Sequence, residues 1–275
     1  MSTLITLIDE YLHCSRQFPS LSHKVCRIMM EIMTIFNSKT KKLILRAGAR
    51  DSTAKLPSIT IKHLAVASQC IELTSSLMPS LRLSLASYMQ PKYHSLLNGM
   101  EKITKGYKDH KEALFQKFVS LIEDLVDSSF HSGDVTEAGP PIDTLSWDDS
   151  VGSGVDGVNG ASEGTDAAAA GPQQVSSAMK YFLKKIKILH KQLSKYLGRD
   201  QLQDVFQRII SLINTKFPKV YASVAPMTDY GKQKVCNEIK VMLEVLRSLD
   251  GLREPGNVLS IHFRSRFGVA ASQLL

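Results

Sequence analysis

The sequence predicts an all-α protein, built as stacked antiparallel helical bundles joined by short loops, with one acidic segment that belongs to no bundle. Three observations carry this expectation. Apolar residues recur every three or four positions over long stretches, and no stretch alternates with period two. Aromatic residues are only 7% of the chain, thin for a β-sandwich and ample for bundles of Leu, Ile, Val and Met. Pro, Gly and Ser/Thr fall between the periodic stretches, where helices stop and start.

Residues 3–17 read as a helix capped by Thr3, with Leu4, Ile5, Leu7, Ile8, Tyr11 and Leu12 on its apolar face and Pro19 as its stop. Ser20 or Ser22 opens a second helix to residue 46, with Val25, Ile28, Met29, Ile32, Met33, Ile35, Phe36, Leu43, Ile44 and Leu45 as its apolar positions. Ala47-Gly48-Ala49 and the stretch Arg50 to Pro57 make a break, and Ser58 can cap a third helix over 59–89. Pro79 should kink or split that helix. Pro91 begins a fourth helix that reaches Phe130, with Gly99 and Gly106 as weak points. Later, Met179, Phe182, Ile186, Leu189, Leu193 and Tyr196 step by three and four, a coiled-coil type of seam on a helix over 179–197. Leu202, Val205, Phe206, Ile209, Ile210, Ile213 and Phe217 form the face of the next helix, and Val235, Ile239, Met242, Leu246 and Leu249 that of the last long one, capped by Thr228. The expected organisation is a helical bundle over 1–130, a linker over 131–173, a second bundle over 174–252 and a loose basic tail over 253–275.

Charge is unevenly spread. The linker holds eight acids, eight glycines and no Lys or Arg, so it cannot bury enough apolar surface to order itself. Its most structured part is expected around Leu145-Ser146-Trp147, which could dock on a neighbouring surface. The formal net charge is +8, and the remainder of the chain therefore carries about +16. The densest basic feature is the helix over 179–197, where Lys184, Lys187, Lys191 and Lys195 share one broad face with no acid nearby. A solvated face, an acidic protein partner, anionic headgroups and the chain's own acidic linker all fit it. Nucleic acid is not expected, because no aromatics are interleaved for base stacking.

Signals for chemistry are weak. Gly152, Gly154 and Gly157 match GxGxxG literally, but they lie among carboxylates, follow no strand and open no helix, which phosphate binding requires. The eight histidines (His13, His23, His63, His94, His110, His131, His190 and His262) include no pair at i,i+3 or i,i+4, so no helical metal site is expected. Cys14, Cys26, Cys70 and Cys236 form no CxxC pair and sit in apolar helical patterns, as small core residues of a reducing compartment do. There is no GxSxG elbow, and no enzyme, cofactor or metal is predicted. Asp9, Glu10 and His13 interrupt any signal-peptide core, and no apolar run approaches the ~20 residues of a membrane span.

Two stretches resemble a known family. Phe36-Asn37-Ser38-Lys39-Thr40, Leu43-Ile44-Leu45 and Ala47-Gly48-Ala49, followed by Ser58-Ile59-Thr60-Ile61-Lys62-His63-Leu64-Ala65-Val66-Ala67-Ser68-Gln69, are similar to the FNS-x-T…LVLGAGA…SIT-x-KHLALASQ signature of the vacuolar protein sorting 54 family. Tyr107-Lys108-Asp109-His110-Lys111 resembles that family's YK-x-HR segment. Arg46 stands where the family usually has Gly, Lys41 and Lys42 replace less charged residues, and the stretch ending in Pro57 is one residue longer. The resemblance covers residues 1–130 well and 175–250 loosely.

It implies the rod of stacked helical bundles shared by multisubunit tethering complexes, and a non-enzymatic subunit of the Golgi-associated retrograde protein (GARP) complex. Such a subunit acts in transport from endosomes to the trans-Golgi network and is peripheral on those membranes. Its implied partners are the other GARP tethering subunits, endosomal vesicle membrane and SNARE proteins, the chain matching the family's carboxy-terminal portion. Read physically, the signature is structure first: Asn37 and Thr40 bond local backbone, Ala47 and Gly48 allow a tight turn, Ser58 and Thr60 cap, and His63 links neighbouring helices through its two ring nitrogens. Direct partner contact is the alternative role for these residues.

Overall fold

The computed structural model describes residues 2–46, 60–131, 139–148 and 175–268. Among the described residues there are eight α-helices and no strand. Ala47, Gly48, Ala49, Ser58, Ile59 and the Gly152–Gly157 match lie outside them, as does the acidic stretch apart from 139–148.

The helices fall into two compact units. The first comprises Met1–Phe118 with Gln192–Gly198. It contains α1 (Ser2–Gln17), α2 (Ser22–Arg46), α3 (Ile61–Tyr88) and the first part of α4 (Gly99–Phe130). A 3-10 turn over Pro19–Leu21 separates α1 from α2, and the Ser22 hydroxyl closes it by donating to the Pro19 carbonyl at 2.7 Å. Pro79 neither splits nor ends α3, because Met78 and Leu81 are buried on either side of it and hold the helix to the core. The fourth helix starts later than Pro91. Residues Pro91–Asn98 wind as a 3-10 helix, with Tyr93 stacked on His23 at 4.3 Å between ring centroids and Leu97 buried. Met29, Met33, Ile71, Leu85, Tyr107, Leu114, Phe115 and Phe118 fill the core of this unit.

The second unit comprises Val119–Lys191 with Arg199–Leu275. It holds the end of α4, then α5 (Ser177–Leu193, of which the last two residues belong to the first unit), α6 (Arg199–Val220), α7 (Asp229–Arg247) and α8 (Val258–Phe267). An aromatic cluster lies at its core: Phe130 meets Phe182 at 5.9 Å and Phe217 at 5.4 Å, and Tyr221 meets Phe263 at 5.5 Å. The periodic residues of α5, α6 and α7 are buried as their spacing predicts.

Two expectations are corrected in this unit. Residues 258–267, read as part of a loose basic tail, form α8. Leu259 and Phe263 are buried, and the Arg266 guanidinium donates to the carbonyls of Tyr221, Ala222 and Val224 at 2.6, 2.9 and 2.9 Å. Those carbonyls lie just beyond the end of α6 at Val220, where the helix leaves its last acceptors open; that of Tyr221 also accepts from the Val224 N–H at 3.1 Å. The second correction is to the extent of the linker: residues 139–148, which include the Leu145-Ser146-Trp147 stretch expected to dock, are seated rather than free. A 3-10 turn over Ile142–Thr144 buries Ile142, and Trp147 packs 6.1 Å from Tyr221 while donating its indole N–H to the Ile142 carbonyl at 3.2 Å.

Candidate functional site

In the first unit the resemblance residues build a polar seam between α2 and α4. The Tyr107 hydroxyl donates to the Met33 carbonyl at 2.9 Å, and His110 Nδ1 lies 2.7 Å from Asn37 Oδ1. The amide oxygen can only accept, so Nδ1 carries the proton and Nε2 is bare. Burial, followed by the charge of Lys41, pushes the His110 pKa down to about 4 and keeps the ring neutral. Its Nε2 is buried without a partner. Helix approach here depends on two small residues one heptad apart. A Cβ on Gly99 would meet Met30 Sδ at 3.1 Å, and one on Gly106 would meet the Asn37 amide nitrogen at 3.4 Å. Asn37 therefore bonds across to His110 and not to local backbone as expected.

Other signature residues are placed apart from the seam. Leu64, Ala65, Ala67 and Ser68 are buried on α3, and Gln69 is half-buried. Thr60, Lys62 and His63 are exposed at its first turn, where the Thr60 N–H donates to His63 Nδ1 at 3.2 Å. His63 thus caps its own helix, and the link between helices expected of it is made by His110. The Lys62 ammonium lies 5.7 Å over the Tyr196 ring. Phe36 and Thr40 are half-buried, and Ser38 and Lys108 are exposed. Gly99 and Gly106 escaped the sequence reading as packing residues, although their spacing of seven was the available signal.

The basic face is only partly on one element. Lys184, Lys187 and Lys191 are exposed on α5, whose other side buries Met179, Phe182, Ile186 and Leu189. Lys195 lies beyond the end of α5, in a turn grouped with the first unit. The helix expected over 179–197 stops at Leu193, where the Leu193 carbonyl accepts from both Tyr196 and Leu197.

The second unit also holds two carboxylates in contrasting settings. Glu238 is buried and accepts from the Tyr221 hydroxyl at 2.6 Å and from the Ser176 backbone N–H. Desolvation outweighs these bonds and raises its pKa. Asp148 is held at the start of α7, accepting from Met227 N–H, Thr228 N–H and the Thr228 hydroxyl at 3.0, 2.8 and 2.6 Å. The Thr228 hydroxyl bond, ahead of the backbone bonds, lowers its pKa. Gly231 is required beside it, since a Cβ there would fall 2.5 Å from the Asp148 carboxylate. These carboxylates hold segments together. Among the described residues no group of three His, Cys, Asp or Glu converges as a metal site requires, and no helix is long and apolar enough to cross a membrane.

A family model described as Vps54-like protein matches residues 1–125. The vacuolar protein sorting-associated protein 54, chloroplastic, of Arabidopsis thaliana is 24% identical over 251 residues, which are 90% of this chain and 21% of that protein. The human vacuolar protein sorting-associated protein 54 is 33% identical over 124 residues, 45% of this chain and 13% of its own length. The Schizosaccharomyces pombe protein of that name is 29% identical over 146 residues, 53% of this chain and 14% of its own length. The chain thus spans about a fifth or less of these relatives. No solved structure matches it. Every residue of the α2–α4 seam lies inside the matched region, and over residues 1–125 the chain is similar to the Vps54-like family.

Proposed function

We propose that the chain acts without catalysis in vesicle sorting, as part of one subunit of a multisubunit tethering complex in retrograde transport from endosomes to the trans-Golgi network. Its partners in this reading are the other GARP subunits, and its association with endosomal and trans-Golgi membranes is peripheral. The observation that carries the reading is the family match over residues 1–125, the region in which Asn37, Tyr107 and His110 knit α2 to α4. Those polar groups are spent on holding helices together, not arranged around a substrate.

The outer faces of the same unit support assembly. Ile28, Ile35 and Leu43 are exposed along α2, and Val66, Leu73 and Leu77 along α3, each set recurring on one side of its helix. Apolar rows of this kind fit burial against other subunits. Cells lacking the protein should return endosomal cargo to the Golgi slowly, with recovery on re-expression, and tagged protein should co-purify the other tether subunits. Normal recycling in the null cell, with an eluate free of those subunits, would retire the proposal.

A further inference from the structure

We propose that the outward face of α5 is a contact surface for an anionic membrane, with phospholipid headgroups as its ligand. The inference deepens the reading of the chain as a vesicle-associated subunit by naming the surface that would meet the lipid. Lys180, Lys184, Lys187 and Lys191 are all exposed, and helical spacing puts them within a sector of about 60° and a length of about 16 Å. No acid occurs on α5. Among the described residues Lys180, Lys184 and Lys187 have no carboxylate within ion-pair distance. The helix cannot roll to hide this charge. Its opposite side is locked by the buried seam from Met179 to Leu193, and His190 Nε2 lies 3.0 Å from the Asp250 carbonyl.

Three features favour a lipid surface over an acidic peptide. The lysine row is bordered by Ile188, which is 41% exposed, and by the half-buried Tyr181, so an apolar and aromatic edge runs beside the charge. Every Lys or Arg position on α5 is lysine, a point charge suited to a diffuse layer of headgroups, whereas bidentate capture of carboxylates uses arginine. At the start of the row, Lys180 and Lys234 both line a cleft of about 330 Å³ with Ser146, Ser176 and Ser177, room for a phosphate-bearing headgroup.

The test is flotation of the full chain with vesicles of phosphatidylcholine alone or mixed with phosphatidylserine. Binding should require phosphatidylserine and weaken as salt is raised. The variant Lys180→Gln/Lys184→Gln/Lys187→Gln should partition about a hundred-fold less, near five-fold for each lysine removed. The charge-matched control Lys24→Gln/Lys42→Gln/Lys102→Gln, at exposed positions off this face, should stay within a few-fold of the parent. Lys184→Glu alone, with helical circular dichroism unchanged, should already lose binding about ten-fold or more. Ile188→Ser should weaken vesicle binding and leave binding to poly-glutamate unchanged. Equal losses in the two triple variants would reduce the effect to net charge and overturn the proposal. So would absence of binding by the parent chain, or capture of poly-glutamate without capture of vesicles. No tether subunit is present in the assay, so its failure leaves the co-purification test of the tethering reading untouched.

Discussion

Burial takes the His110 pKa from 6.5 to about 4, so between those values the unfolded chain binds a proton that the folded chain does not. Stability from this residue is complete above pH 6.5, falls as pH drops, and is gone below the folded value. The span is worth up to about 3 kcal/mol. Urea unfolding at neutral pH and near pH 4.5 should show the loss, and His110→Gln should remove this part of the slope while lowering stability at neutral pH by about 1–3 kcal/mol. A variant with an unchanged slope would show that the imidazole is not the proton-linked group. The pairing behind this prediction was hidden in the sequence: Asn37 and His110 were both singled out, but they are 73 residues apart and nothing in local spacing joins them. His63 was the more conspicuous histidine, beside Thr60 at a helix start, and it turned out to serve its own helix.

At the scale of the helix, glycine in α4 trades propensity for approach. Gly106→Ala adds a methyl at ordinary contact distance from Asn37 and removes a flexible residue from a helix interior, so it should stabilise by up to about 1 kcal/mol. Gly106→Leu should push α2 away and break the Asn37–His110 bond, at about 2 kcal/mol or more. Thermal melts of the two variants should move in opposite directions. Phe263→Ala in α8 should cost about 3–5 kcal/mol, because the ring is fully buried against Tyr221 in the aromatic cluster; a near-neutral result would return the segment to the status of a tail.

The helices readable in advance were those with unbroken apolar spacing, such as Met179 to Leu193 and Val235 to Leu249. The ends were harder. Leu193 closes α5 through its own carbonyl before Gly198 is reached, and Pro91 starts a 3-10 stretch whose Tyr93 is fixed by His23 from another element. Helix α8 was missed because only Leu259 and Phe263 bury apolar side chains, while Arg266 works by capping distant carbonyls, and neither makes a periodic run.

For the molecule as a whole, the two units should answer acid in opposite senses. Glu238 in the second unit has a raised folded pKa, so its stabilising contribution is present at low pH and lost as pH rises through that folded value. His110 in the first unit behaves the other way. Hydrogen exchange, corrected for intrinsic rates, should show α2 and α4 near the seam losing protection between pH 6.5 and 4.5 while α7 gains it. Glu238→Gln should flatten the response of α7 alone; parallel changes in both units would defeat this account.

The lone Trp147 gives the protein a built-in optical probe. Its indole is 7% exposed and sits beside Tyr221, so its emission reports only whether residues 139–148 remain seated on the second unit. Far-ultraviolet ellipticity, by contrast, sums over every helix. A fluorescence melting curve that departs from the ellipticity curve would therefore register the second unit coming apart at its own temperature, with no label added to the chain.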